Sequence, residues 1–483
     1  MNKLMSNYLF TVLYQLLLML TPFITTPYVS RILRPEGIGI DATVLSVVQL
    51  FIVFTVLSLP MYGSRQIAVK KDQNDLSKEF WSIFIFQICV AVLNFIVYYI
   101  FISAFSTHKI LYLIHITTLL AYSLDISWYF IGKEQMKKIA IRNMLIKVAG
   151  IILTFLLIKE YNDLPLYVAI NGGTLLVGQL IMWRPLLKEL KFVKIEFPDF
   201  KAHVIPILIL FLPQLMIQVY VLVNRIVLGN VSGEVQVGYY TQANKVVKIA
   251  IGLISSLGTV LLPRMASEFA KGNQEQLKRY TNVTLQFVLM ITLPMTLGLV
   301  AISPNFVIWF LGKDFLDVSL NLMIMSPVIF FVGLANVFGV QILVATNQQN
   351  KYSVAITVGA ILSLMTNLVL VSSMGSLATT IALLVAESVG AIIQMYYARS
   401  YFHFRTFLQL FFKYLVLSIL VFIAAWFVGK IVTITPVLLT LLQLLAGGIV
   451  YGLGLLLIKD SLVYKLLGVF SQKFLVKIHE RRS

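Results

Sequence analysis

Apolar residues along this chain come in blocks of about 18 to 26, separated by short clusters of charged residues, proline or glycine. Such blocks show neither the two-residue alternation of a half-buried strand nor the narrow apolar stripe of a soluble helix. A helix of about 20 apolar residues crosses a hydrocarbon core about 30 Å thick. The pattern therefore predicts an all-α, polytopic membrane protein with about fourteen spans. Their expected limits are 7–29, 38–60, 80–104, 110–131, 139–158, 165–183, 203–228, 237–262, 281–303, 318–345, 352–373, 375–397, 406–428 and 435–457. The first block is too long for a signal-peptide core and has no A-x-A-like site after it, so it is expected to stay in the protein.

Composition agrees with this reading. Only 12% of the 483 residues are charged and 59% are hydrophobic, against about 25% charged in an ordinary soluble chain. With the N-terminus placed inside and 131–143 counted as an inside segment, 27 of the 38 Lys and Arg fall in inside segments, 6 in outside segments and 5 within spans. That bias puts both termini on the cytoplasmic side. It also accounts for the net charge of +18 as topology signal and attraction to anionic lipid, with no nucleic acid as partner. The single cysteine, Cys89, cannot form an intrachain disulfide, and the five histidines are scattered, so no zinc site is expected.

The chain also repeats itself. Span 1 ends "YVSRIL" and leads to "EGIG", whereas span 7 ends "YVLVNRIV" and leads to "EVQVG". Offsets of 194 for Arg31 to Arg225, 191 for Pro22 to Pro213 and 203 for Pro60 to Pro263 describe one drifting period. Two parallel six-span lobes follow: residues 1–190, then a charged linker at 191–202, then 203–400. Residues 401–483 add spans 13 and 14 and a basic tail. The linker region 184–203 is expected to lie along the interface as an amphipathic helix. Parallel repeats place a substrate site between lobes that rock to alternate access.

Polar residues within spans mark candidates for that site. In span 8, Thr241, Lys245, Lys248, Gly252, Ser255 and Thr259 recur at steps of four and three, which is one helix face. Span 7 offers Gln214, Gln218 and Arg225, and span 1 offers Asn7, Thr11, Gln15, Pro22 and Thr25. A charge at mid-membrane costs about 2.5–3.5 kcal/mol even on the lenient scale, so buried lysines on a hydroxyl-bearing face point to a water-filled cleft. Arg31 is the repeat partner of Arg225, and its fork suits phosphate. Arg65 and Arg264 hold equivalent inner ends of spans 2 and 8. Asp125 and Glu387 are the intramembrane carboxylates expected to couple H⁺ or Na⁺, and Asn224 and Asn367 could join a cation site. No other cofactor is implied.

"YVSRILRPEGIGIDA", "YGSRQIA", "VGYYTQANKVVKIA" and "LLPRMASEFAKGN" together resemble the Wzx-type polysaccharide-repeat-unit flippases of the multidrug/oligosaccharidyl-lipid/polysaccharide exporter superfamily. The resemblance covers roughly residues 1–400. Arg34 stands where the pattern "R-x-L-G-P-E-G-x-G" has glycine. Arg65 joins the substrate-binding candidates through "YGSRQIA". The resemblance implies a MATE-like fold and a substrate: an oligosaccharide on undecaprenyl diphosphate, flipped to the outer leaflet of the bacterial cell membrane for surface polysaccharide synthesis. It also implies a polysaccharide polymerase and glycosyltransferases as partners. A lipid II flippase is the nearest alternative. A multidrug exporter would favour an acidic cleft, opposite in sign to this one. A membrane enzyme would want a carboxylate pair, a His base or a metal cluster on a sizeable loop, and none is present.

Overall fold

The computed structural model describes residues 3–105 and 107–464, and the side chains within them apart from 3–5, 105, 197–199, 212–214, 216–217, 219–220, 253–261 and 263. All elements among the described residues are helical. Contacts divide the chain into two compact units, Met1–Thr241 with Val371–Ser376, and Gln242–Leu370 with Leu377–Ser483. The division falls within a helix and later than the repeat boundary.

The first unit opens with α1 (Lys3–Val56), which carries two expected spans in one continuous helical assignment. A single non-helical residue, Arg34 (φ 57°, ψ 175°), separates them. Pro35 follows and starts the second half, because its missing N–H and fixed φ suit a first helical position. Next come α2 (Leu59–Val69), α3 (Gln73–Phe105), and a broken span made of α4 (Lys109–Ile114), α5 (Ile116–Ser123) and α6 (Ser127–Gly132). Then α7 (Met136–Leu157), α8 (Leu164–Glu189) and α9 (Phe197–Ser232) complete its long helices. The unit takes in α9 because that helix packs along α1, α2 and α3.

Between α8 and α9 residues 190–196 are not helical, so the expected amphipathic helix is absent there. The physical reason lies in the local pattern: "KFVKIE" alternates with period two, which a strand-like backbone satisfies and a helix does not. Trp81 stacks on Phe192 at 4.7 Å and its Nε1 donates to the Lys191 carbonyl at 3.0 Å. The start of α9 is then anchored by buried His203. Its Nδ1 lies 2.7 Å from the Tyr62 hydroxyl and its Nε2 lies 2.7 Å from Ser82 Oγ. Around this anchor Phe80, Trp128, Tyr129, Phe130 and Leu186 form an aromatic-rich core.

The second unit takes α10 (Glu234–Ala270) from Gln242 onward, then α11 (Gln274–Phe310), α12 (Val318–Met325) and α13 (Pro327–Ala335). A π-helical segment, Asn336–Val344, continues α13. After it come α14 (Gln349–Met374) and α15 (Ser376–Tyr397), joined by Gly375 alone. That glycine takes φ +55°, a turn that its missing Cβ permits. Finally α16 (Phe404–Ile431) and α17 (Pro436–Leu457) pack along α11. Their junction is fixed by fully buried Asp460, which accepts from Lys413 Nζ at 2.5 Å and from the Tyr414 hydroxyl at 2.7 Å.

Eleven helical stretches among the described residues are long and apolar enough to cross a membrane, and one of these, Ser6–Val69, contains the Arg34 break. The protein is a multi-pass helical membrane protein.

Candidate functional site

In the first unit the break at Arg34 forms an elbow, and its repeat, residues 229–241, meets it. A Cβ on Gly39 would overlap the carbonyl of Glu234, and a Cβ on Gly238 would overlap the carbonyl of Pro35. Only glycine lets the two backbones approach so closely. These are the two glycines of "EGIG" and "EVQVG", the segments that revealed the repeat. His108 pairs with Glu234 beside this junction, and the Gln236 side chain accepts from the Ser376 N–H at 2.9 Å.

The cations predicted as repeat partners have unlike surroundings. Arg31 is exposed, one turn before the break. Arg225 is half-buried: its Nη1 donates to Ser46 Oγ at 3.2 Å, and its guanidinium lies 6.0 Å from the Tyr240 ring centre. Asp41 supplies nearby negative charge. The guanidinium thus links the second half of α1 to the start of α10. Arg65 on α2, Arg264 on α10 and Gln218 on α9 are exposed. Gln214 lies outside the described side chains, as do Ser255 and Thr259.

Asp125 sits where the fourth span breaks between α5 and α6. Its Oδ1 accepts the Ser127 N–H at 2.8 Å, a cap that satisfies one orphan donor of the new helix. Arg142 brings compensating positive charge within electrostatic reach of Asp125. Arg142 itself is 7% exposed. Its Nη1 donates to Gln179 Oε1 at 2.6 Å, its Nη2 to Ser127 Oγ at 3.2 Å and its Nε to Asn143 Oδ1 at 3.0 Å. The count of lysines and arginines places Arg142 in the inside segment 131–143. The signal available was its position, six residues past the start of α7 and inside the expected span 139–158.

The second unit holds the lysines and the second carboxylate. Lys245 and Lys248 lie eleven and fourteen residues into α10, about 16 and 21 Å along its axis. Lys245 is half-buried and Lys248 exposed, while Gln242, Ala243, Asn244, Val246 and Val247 around them are buried. Glu387, half-buried on α15, lies in the electrostatic field of Lys248, and Tyr352 of α14 lies in that of Glu387. Lys248 and Glu387 are therefore within electrostatic reach of one another, and Glu387 and Tyr352 likewise. Asn367 is buried and its Oδ1 accepts from the Thr379 hydroxyl at 2.8 Å. In the π-helical segment Gln341 Nε2 donates to Asn336 Oδ1 at 3.0 Å. Such segments often accompany functional sites. Among the described residues no cluster of His, Cys, Asp and Glu is arranged to hold a metal ion.

Many long apolar helices, cations set deep in them and a carboxylate in a lysine's field define a membrane transporter fold. Solved structures share that fold. The lipid II flippase MurJ in an inward closed conformation matches with a TM-score of 0.69 at 18% identity, over 95% of this chain and 99% of that one. An inward-facing multidrug resistance MATE family transporter of the MOP superfamily matches with a TM-score of 0.61 at 15% identity, over 81% and 95%.

The particular family is given by sequence. A family model described as "Polysaccharide biosynthesis protein" matches residues 4–269, and the chain belongs to that family. It is 24% identical over 394 residues to a putative O-antigen transporter of Escherichia coli (strain K12), covering 79% of this chain and 93% of the relative. It is also 29% identical over 133 residues to the lipid II flippase MurJ of Bacillus subtilis (strain 168), covering 27% and 24%.

Proposed function

We propose that this protein is a flippase, not an enzyme, that carries an oligosaccharide on undecaprenyl diphosphate from the inner to the outer leaflet of the bacterial cytoplasmic membrane. Membership of the polysaccharide biosynthesis family and similarity to O-antigen transporters support the substrate class. The observation that carries the mechanism is the lysine pair on α10. Two ammonium groups roughly 16 and 21 Å into a membrane helix are costly to keep unless they meet water and an anion, and a diphosphate is that anion. Arg225, Arg31, Arg65, Gln214 and Gln218 complete the polar contacts in this reading. Access alternates between the membrane faces, with both termini cytoplasmic, as the excess of lysine and arginine in the inside segments supports.

Glu387 is the coupling carboxylate in this reading. A proton or Na⁺ at Glu387 changes the charge beside Lys248 and so biases the return of the empty carrier. Asp125 is the weaker coupling candidate, since its carboxylate already caps α6. Glycosyltransferases supply the substrate and a polymerase consumes the product. The test is flipping of a lipid-linked oligosaccharide in proteoliposomes with potential and ion gradients set separately. Lys245→Gln with Lys248→Gln should abolish flipping of the diphosphate lipid, and Glu387→Gln should remove the ion dependence. Full activity of the double lysine variant would refute the reading, and preferential flipping of lipid II would redirect it to peptidoglycan.

A further inference from the structure

A long groove runs down the side of the first unit between the second half of α1, α3 and α9, with a volume of about 1120 Å³. Its walls are aliphatic and aromatic, and Phe54, Leu93, Val97 and Leu208 are 44%, 64%, 50% and 48% exposed. The polar residue halfway along it, Asn94, turns its amide inward: Nδ2 donates to the Phe51 carbonyl at 2.6 Å and to Thr55 Oγ1 at 2.5 Å. The other uncharged polar lining residues are Thr43, Thr107 and Asn230, and the rest of the wall is apolar. Charge occurs at one end alone, where His108 and Glu234 pair, while the other end is closed by Phe86, Leu57 and Val204.

We infer that this groove holds the polyisoprenoid tail of the substrate, an inference that rests on the flippase reading above. Length decides between this chain and an ordinary phospholipid. On α3 the lining runs from Phe86 to Phe101, fifteen residues or about 22 Å at helical rise. One leaflet supplies only about half of a roughly 30 Å hydrocarbon core. A diacyl lipid ends near the midplane and fills part of the groove, whereas a long isoprenoid passes the midplane and fills it. With charge at one end only, such a chain has a single orientation in which no polar group meets apolar wall. The groove keeps the tail against the first unit while the headgroup is handled by the polar residues of the site.

The test uses the full chain in vesicles holding both a polyprenyl-diphosphate-linked oligosaccharide and diacyl phospholipid. A photoreactive benzoylphenylalanine replaces Leu93, or as a control Leu445, an exposed residue of α17. Adducts with the polyprenyl lipid should form several-fold more at 93 than at 445. Equal labelling at the two positions, or labelling at 93 mainly by phospholipid, would overturn the inference. Because 93 and 97 are exposed, Leu93→Trp and Val97→Trp should fold and fill the groove. They should slow flipping of the long-tailed substrate several-fold and spare an analogue with two isoprene units. Unchanged flipping of both lipids by both variants would also overturn it. Failure of the unaltered protein to flip either lipid would sink the flippase reading instead, while the labelling arm still judges the groove.

Discussion

Replacing Arg34 by glycine should make this protein more stable, although arginine is the native residue. Arg34 sits at φ 57°, ψ 175°, a region reached readily by glycine alone. A residue with a Cβ held there costs on the order of 1–3 kcal/mol. Glycine removes that cost but loses more freedom on folding, about 0.5–1 kcal/mol relative to alanine. The arginine side chain is exposed, so its electrostatic interaction with nearby Tyr161 is worth no more than about 1 kcal/mol. The midpoints of these figures, about 2 kcal/mol gained against about 0.75 and 0.5 kcal/mol lost, leave a net gain of about 0.75 kcal/mol. With an unfolding entropy of about 2.1 cal/mol/K per residue, a chain of 483 residues turns this into a rise in melting midpoint of roughly 0.7 °C. Thermal melts in a single detergent would compare Arg34→Gly, Arg34→Ala and the unaltered chain. Alanine deletes the charged side chain and keeps the strain, so glycine should lie above both. A glycine variant no more stable than the alanine variant would refute the reasoning.

At the elbow junction, Gly39→Ala and Gly238→Ala should each destabilise by about 1–3 kcal/mol, as overpacking does. A melt that fails to fall for either would show that the two backbones do not meet. Asp460 gives a pH dependence. Burial alone would raise its carboxyl, but the bonds from Lys413, Tyr414 and the Val463 N–H outweigh burial and hold it below the usual carboxylate range. A carboxylate depressed in the folded state contributes stability above its unfolded pKa and loses it as pH falls through the folded one. The melting midpoint should therefore drop as pH falls below about 4, and drop less in Asp460→Asn. Equal acid sensitivity of the two would remove Asp460 as the cause.

Much of the fold was legible because a membrane imposes its thickness on the sequence. The expected spans at 80–104, 139–158, 406–428 and 435–457 match α3, α7, α16 and α17, with ends displaced by a few residues. The fourth span was legible as apolar but not as broken, because the break depends on Asp125 finding the Ser127 N–H and Arg142. No local periodicity announces such a cap. The lysine stripe on α10 was visible from steps of four and three, yet its partner was not, since Glu387 is 139 residues beyond Lys248 and only folding joins them. His203 with Tyr62 and Ser82 was invisible for the same reason. The glycine missing at Arg34 was visible as a departure from a pattern, and its physical meaning waited on the backbone angle.

The paired elbows have an ancestry implied in their geometry. Gly39 lies against the Glu234 segment, and Gly238, its counterpart in the repeat, lies against Pro35 in the Glu36 segment. Each patch is thus its own partner's partner, which is the defining property of an isologous contact between two copies of one subunit. Such a contact closes on itself and needs no third surface. If the two halves descend from a single gene, the contact can predate the fusion, having held two separate chains about a two-fold axis. Sequence change in one elbow is then constrained by the other, although the two bends use different residues: Arg34 at φ 57° in one and Gly233 at φ 88° in its counterpart.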